Sequence, residues 1–241
     1  MAKLDVTLEG KAQISSGTWS FTLGLDGQAF EFRAGQTIDL TFPNPPHNDA
    51  AGNKRTFSLA GGPAREHLLV ATRVRDSAFK RSLVEAPEGT KLEIEGPFGS
   101  FTLPQKTRSV VMLAGGIGVT PFRSMIEDAI YRGLQHPLTL VHSNRTPEDA
   151  PFLKEFQEWG SAGKLFTYLP TMTDMASSKV AWTGERRLIG PAFLGELLPK
   201  LTDNPIFYAA GPERFVKAAV DTLNALKVDE ERIRFEDFPG Y

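Results

Sequence analysis

Val110-Val111-Met112-Leu113-Ala114-Gly115-Gly116-Ile117-Gly118-Val119-Thr120-Pro121 is the stretch on which the fold turns. An apolar strand runs into a cluster of glycines and then into a helix beginning near Pro121. Glycines let the backbone adopt positive φ and come close to a ligand. Pro121 suits a first helical turn, where its missing N–H has no helical partner to lose. Thr120 can cap the helix or donate to a phosphate. Unpaired amides and the dipole at a helix N-terminus favour a pyrophosphate. A tight strand–helix turn without a ligand needs only the glycines, whereas strand, Gly-Gly-x-Gly, Thr-Pro and helix together point to a phosphate site. The spacing is not Gly-x-Gly-x-x-Gly, which disfavours an ordinary Rossmann dehydrogenase.

Downstream of this loop, apolar strands alternate with amphipathic helices. Strands are expected at 109–113, 138–141, 165–168, 206–209 and 232–235, and helices at 121–131, 150–159, 191–198 and 212–226. Such alternation implies a parallel sheet covered by helices on both faces. The polar stretch 173–179 is expected to be a mobile loop. Upstream, short runs at 4–8, 18–25, 37–42, 56–60, 68–74 and 91–95 are punctuated by Gly, Pro and Asn, with one helix at 79–85. Strands at that spacing suggest an antiparallel barrel or sandwich. The boundary falls near 100–108, after Gly96-Pro97-Phe98-Gly99.

Composition narrows the chemistry. The 241 residues are 41% hydrophobic and carry a net charge of -2, enough for one large or two medium domains. Near-neutrality gives no reason to expect nucleic acid or an anionic membrane as partner. No apolar run approaches the ~20 residues of a membrane span. Residues 1–11 alternate, carry charge and lack the apolar core of a signal peptide, so a cytoplasmic protein is expected. The absence of cysteine removes disulfides, thiolate catalysis and a cysteine-ligated iron–sulfur cluster on this chain. His47, His67, His136 and His142 show no metal-binding spacing, so no metal is expected. Redox chemistry would have to come from a bound organic cofactor.

Several separated motifs occur in one order. Phe32-Arg33-Ala34-Gly35-Gln36, Arg55-Thr56-Phe57-Ser58, Gly96-Pro97-Phe98-Gly99-Ser100-Phe101, the glycine loop, and Tyr208-Ala209-Ala210-Gly211-Pro212 run along the chain. Together they resemble the ferredoxin–NADP⁺ reductase family. The resemblance implies two domains: an antiparallel β-barrel holding FAD over 1–104, and an α/β parallel-sheet domain binding NADPH or NADH over 105–241. It implies hydride transfer between that nucleotide and FAD, with electrons passing on to ferredoxin, flavodoxin or another carrier protein.

The resemblance also assigns residues. Arg55 would grip the FAD pyrophosphate, as a guanidinium can through two parallel hydrogen bonds. Taken alone, it reads as a solvated strand end. Thr56 belongs to the same motif. Phe57 would pack beside the flavin, and Ser58 would place its hydroxyl near flavin N5. Thr72, Arg73 and Val74 sit where relatives line the flavin. Phe79, Lys80, Arg81 and Ser82 would offer helix N-terminal amides to the pyrophosphate, although a basic surface turn would look the same. Gly115, Gly116, Gly118, Thr120, Pro121 and Gly211 would form the nicotinamide-nucleotide site. Arg145 would face a 2′-phosphate or stack on adenine, with Arg186 and Arg187 as further candidates and Glu148 and Asp149 opposing. This leaves NADH and NADPH both open. Phe238 or Tyr241 would cover the flavin face, and Glu236 would relay a proton or orient the nicotinamide, unless this segment is an ordinary tail. Ala210 stands where the family usually has cysteine, which argues for a differently tuned hydride step. Lys54, Arg65, Arg73, Arg75, Lys80 and Arg81 would form a basic surface for an acidic carrier. The alternatives are the reductase component of a multicomponent oxygenase, a free-flavin reductase, or a non-catalytic nucleotide-binding, partner-binding subunit.

Overall fold

The computed structural model describes residues 2–163, 165–201 and 204–238. The N-terminal half contains β1 (Ala2–Ser15), β2 (Thr18–Gly24), β3 (Thr37–Thr41), β4 (Lys54–Ser58), β5 (His67–Arg73), α1 (Ala78–Glu85) and β6 (Lys91–Phe98). Its strands form a six-stranded antiparallel sheet in the order β4-β3-β6-β1-β2-β5. Just past β4, Leu59 bridges to Val70 of β5 and Ala60 N donates to Leu69 O at 2.7 Å. That contact brings the first and last strands together and closes the sheet as the expected barrel. Alternate residues point inward, as the period of two requires. Val6 and Leu8, Ile38 and Leu40, Leu68 and Val70, and Leu92 and Ile94 fill the interior. Phe79 and Leu83 of α1 plug this core.

The second half contains β7 (Val110–Gly115), α2 (Thr120–Arg132), β8 (Leu138–Asn144), α3 (Leu153–Ala162), β9 (Phe166–Met172), α4 (Pro191–Leu197), β10 (Ile206–Pro212), α5 (Glu213–Ala225) and β11 (Ile233–Phe238). The five strands are parallel, in the order β11-β10-β7-β8-β9. Every residue of β7 is buried, because helices cover both faces. Val110, Met112 and Ala114 face α2 and α3 through Phe122, Met125 and Phe156. Val111 and Leu113 face α4 and α5 through Leu194, Val216 and Leu223. The chain runs from β7 outward to β9 and then crosses to β10 on the other side of β7. Ligand crevices in open α/β sheets lie at such a switch point, at the carboxyl ends of the strands. The ends of β7 and β10 carry Gly115 and Gly211.

Several elements depart from the expected bounds. β1 runs well past residue 8 to Ser15; its polar second half shows no alternation but pairs along β2. α3 starts at Leu153 rather than 150 because Phe152 adopts a left-handed φ of 59°. Helical winding after β7 begins at Gly116, in a 3₁₀ turn over Gly116–Val119 that runs into α2. The stretch expected to be mobile is tied down: Thr173 N donates to Asn144 O at 2.9 Å and Asp174 N to Arg145 O at 2.8 Å.

The two halves meet along α2. Arg123 is 2% exposed and donates to Ala60 O at 2.6 Å. Ser124 Oγ donates to Gly61 O at 2.7 Å. Glu127 accepts from Gly62 N at 2.5 Å and from Arg65 Nε at 2.8 Å. Beside this contact, Tyr208 Oη donates to Thr102 O at 2.7 Å. No described helix is long and apolar enough to cross a membrane.

Candidate functional site

A cavity of 460 Å³ opens between the barrel and the carboxyl ends of the parallel strands. The barrel contributes Thr37, Arg55, Thr56, Phe57, Ser58 and Ala71, and α1 contributes Lys80. The α/β half contributes Ile117 and Thr120 from the glycine loop, and Glu236, Asp237 and Phe238 from β11. Arg55, Thr56, Phe57, Ser58, Lys80, Thr120, Glu236 and Phe238, separated by up to 183 residues of chain, are thus brought to one space by the fold.

One end of the cavity is cationic. Arg55 Nη1 donates to the carbonyls of Ala51 (2.8 Å), Gly52 (2.9 Å) and Lys54 (2.7 Å), which fixes the guanidinium against its own loop. Its remaining amino group reaches Asp49 at 3.4 Å. Burial, reinforced by Arg55 and Arg75, pulls the Lys80 ammonium down to about 8. A lysine so shifted marks a place where positive charge is crowded and poorly hydrated, and where a bound anion is stabilised. α1 ends here. Ser77 caps it by accepting from Lys80 N at 3.4 Å. Asp49 accepts from Ala78 N at 2.9 Å, and this amide holds its carboxyl below the usual carboxylate range. An internal carboxylate therefore sits on the helix N-terminus and against the arginine.

The opposite end is uncharged on the barrel side. Ser58, 8% exposed, pairs directly across the ladder with Thr37, 9% exposed. Their cross-strand placement puts both hydroxyl-bearing residues on the cavity wall. Phe57 is buried between the cavity and the barrel core, with Phe79 at 6.0 Å between ring centroids.

The α/β wall is the glycine loop. Gly116 has a φ of 53°, in the region glycine favours. A Cβ on Gly118 would lie 2.3 Å from Ala210 O and 2.4 Å from Gly211 Cα, so only glycine lets the loop rest on the end of β10. A Cβ on Gly115 would lie 2.7 Å from the Phe215 ring. Pro121 occupies the first turn of α2. Thr120 does not cap the helix; its hydroxyl donates back to Ile117 O at 3.1 Å and fastens the 3₁₀ turn.

The C-terminal segment is not a tail. Glu236, Asp237 and Phe238 pair with Ala210, Gly211 and Pro212 in parallel register. Glu236 Oε2 is buried and has no hydrogen-bond partner among the described residues. Burial, with a smaller push from Asp237, raises the Glu236 carboxyl to about 7. Ala210, in the position of the family's usual cysteine, is fully buried. Tyr241 lies outside the described residues.

Other expected site residues stand apart from the cavity wall. Phe79 is in the barrel core, and Ser82 exchanges hydrogen bonds with the His47 backbone. Thr72 is buried in β5. Val74 N donates to Gly17 O at 2.7 Å, and Arg73 pairs with Asp149 at 3.5 Å. Arg81 is exposed. Arg145 pairs with Asp174 at 2.6 Å at the carboxyl edge of β8 and β9. Arg187 is held by Glu185 and Glu196, away from it. The expected basic surface is largely neutralised: Lys54 pairs with Asp39 and Glu95, and Arg65 with Glu127. Sequence reasoning missed Thr37, Asp49, Ala51, Ala71, Asp76, Ser77, Ile117 and Asp237 on the cavity wall. Ser77, an N-cap type directly before a helix, was the one with a local signal.

Residues 112–221 match the oxidoreductase NAD-binding domain family. A ferredoxin–NADP reductase B of Sorangium cellulosum is 31% identical over 67% of this chain and 64% of its own length. The electron transfer component of a 2-halobenzoate 1,2-dioxygenase from Burkholderia cepacia is 28% identical over 93% of this chain and 64% of its own length. In structure, the FAD/NAD-binding domain of a Vibrio cholerae nitric oxide dioxygenase superposes with a TM-score of 0.82 at 22% identity, covering 98% of each chain. The chain spans between 43% and 64% of the length of eight curated relatives it matches.

Proposed function

We propose that this chain belongs to the ferredoxin–NADP⁺ reductase family and is an FAD-dependent oxidoreductase taking hydride from NADH or NADPH and passing electrons to a carrier protein, a reading supported by its match to the oxidoreductase NAD-binding domain and its similarity to reductase components. The observation that carries this reading is the single cavity in which the barrel's Arg55–Ser58 strand, the glycine loop and Glu236 all meet.

The residues fit a flavin dinucleotide. The cationic end formed by Arg55, Lys80 and the start of α1 suits a diphosphate, which would take the place Asp49 holds on Ala78 N. Phe57, Ser58 and Thr37 offer an apolar ring and two hydroxyls, which suits a flat heteroaromatic ring with polar edges. FAD supplies an acceptor that takes two electrons as hydride and can release them singly. Gly115, Gly116, Gly118 and Gly211 let the nucleotide approach the ends of β7 and β10. Thr120 and Pro121 fix the start of the helix that faces its phosphates. Phe238 provides an aromatic side chain over the same space. Glu236, able to hold or release a proton near neutrality, is placed to orient the nicotinamide and to balance charge as hydride leaves it.

A second acceptor class, the oxygenase component of a multicomponent system, is supported by relatives named as dioxygenase reductase and electron transfer components. The test is an absorbance spectrum of the purified protein followed by anaerobic titration with NADH and NADPH. A flavin band near ~450 nm that bleaches with one equivalent is expected. A colourless protein that binds no added FAD would refute the proposal.

A further inference from the structure

His142 lies on β8, fully buried, with its two ring nitrogens engaged. Nε2 is 2.9 Å from Gly116 O and Nδ1 is 3.1 Å from Tyr168 Oη. Burial pulls the imidazole down to about 4, so the ring is neutral at physiological pH. A carbonyl can only accept, so Nε2 carries the proton, Nδ1 is the acceptor, and Tyr168 donates to it. Burial also pushes the Tyr168 hydroxyl upward, which keeps that donor proton in place. The chain of bonds runs one way, from Tyr168 on β9 through His142 on β8 to the loop after β7. Phe156 stands edge-on to the imidazole at 6.2 Å and limits its rotation.

The loop end of this chain is the residue that needs fixing. A Cβ on Gly116 would meet nothing within 4 Å, so its conformation rather than crowding selects glycine. Its φ of 53° leaves the peptide that follows easy to flip. In a trans peptide the carbonyl and the next N–H point in opposite directions. With Gly116 O drawn toward His142, the N–H of Ile117 is turned away from the sheet core, and Ile117 lines the cavity.

We propose that His142 and Tyr168 are positioning residues for the nicotinamide nucleotide: their hydrogen-bond chain locks the Gly116–Ile117 peptide so that its amide faces the dinucleotide phosphates. The inference rests on the functional reading above and extends it to residues that stand behind the loop. A purely structural pair would affect flavin, nucleotide and folding together. A positioning pair affects the nucleotide alone.

The experiment compares wild type with His142→Phe, His142→Gln and Tyr168→Phe. The readouts are calorimetric binding of NAD⁺ and NADP⁺, FAD affinity, steady-state kinetics and melting temperature. Loss of one such hydrogen bond is expected to weaken nucleotide binding about three- to tenfold in His142→Phe, with KM rising by the same factor. kcat should stay within about twofold, the pattern of lost uniform binding, and FAD affinity should not change. His142→Gln, whose amide can still donate to Gly116 O, should recover most of the loss. Tyr168→Phe, which keeps both rings and removes one hydroxyl, should show a smaller loss in the same direction. Unchanged nucleotide affinity in His142→Phe would overturn the inference, as would losses shared with FAD that His142→Gln does not repair. If His142→Phe does not fold, unchanged affinity in Tyr168→Phe overturns it equally. A folded wild type that binds neither nucleotide would sink the functional reading and this inference with it. Tight wild-type binding that the variants retain would sink this inference alone.

Discussion

Glu236 combines a buried carboxyl oxygen lacking a partner among the described residues with a pKa raised to about 7 by burial and Asp237. Hydride loss makes a nicotinamide ring cationic, so a carboxylate nearby stabilises the transition state more than a neutral acid does. Flavin reduction by the nucleotide should therefore accelerate as pH rises from 6 to 8, with an apparent pKa of about 7. Glu236→Gln should hold the rate at the low-pH plateau, about tenfold or more below the wild-type maximum. Stopped-flow reduction across that range measures both. The same shift has a stability consequence of fixed sign. The folded pKa is raised above the unfolded value of 4.5, so the contribution is complete below that value and is lost as pH rises through about 7. Melting temperatures at pH 6 and pH 8 should converge in Glu236→Gln relative to wild type. A wild-type rate that is flat over this range, or that falls as pH rises, would dismiss the assignment. At this scale the sequence was a partial guide. Glu236 and Phe238 stand out as a carboxylate and an aromatic near the chain's end. Asp49 did not stand out, because its meaning comes from Arg55 and Ala78, which reach it only after the barrel closes. His142 gave no sign of a role for a related reason: both of its partners lie 26 residues away, one in the loop after β7 and one on β9.

The glycine loop shows what an element can reveal before it folds. Strand, glycines, Thr-Pro and helix were all legible, because each obeys a local rule of backbone geometry. The 3₁₀ turn over Gly116–Val119 was not, since it depends on the contact of Gly118 with the end of β10. That contact is backbone against backbone, so Gly118→Ala cannot be absorbed by a side-chain rotation. The loop must lift from Ala210 and Gly211 to accept the methyl. The expected cost is about 1–3 kcal/mol in chemical denaturation, as for other overpacked sites. Nucleotide affinity should fall more than about tenfold, because the amides at the start of α2 move with the loop. The flavin end, built on β4 and α1, should keep its FAD affinity. Equal losses of FAD and nucleotide would show that the loop is not a separate binding element. Elsewhere, element bounds slipped where tertiary pairing overrode local pattern. The second half of β1 has no inward face of its own and is held by β2. α3 yields its first turn to the left-handed Phe152.

For the whole molecule, the switch from short alternating strands to strand–helix repeats made the two-sheet architecture readable, since the period of burial follows the covering of each face. How the two sheets are held together was not readable. It rests on bonds from α2 to the barrel, chief among them Arg123 to Ala60 O at 2.6 Å, with the guanidinium itself held by Glu155 at 2.7 and 2.6 Å and by the rings of Phe152 and Trp159 at 4.9 and 5.4 Å within the α/β half. Ala60 ends the segment that carries Ser58, and Arg123 sits one turn into the helix that follows the glycine loop. The guanidinium thus ties the flavin wall to the nucleotide wall within one buried contact. Arg123→Ala would leave Glu155 without its bidentate partner and Ala60 O without a donor. Glu155 is 30% exposed and can be hydrated once its partner is gone, so the loss of these charge-assisted bonds is expected to destabilise by about 1.5–3 kcal/mol. If the tie also sets the register of the two walls, the hydride step should slow beyond what lost stability explains. Single-turnover flavin reduction at saturating nucleotide, measured well below the melting temperature, isolates that effect. Arg123→Lys keeps the charge but not the planar fork, so it should fall between wild type and Arg123→Ala in both measurements. A destabilised Arg123→Ala protein that still reduces flavin at the wild-type rate would mean that this contact only holds the halves together, and that their alignment is set by the remaining bonds across the interface, from Ser124, Glu127 and Tyr208.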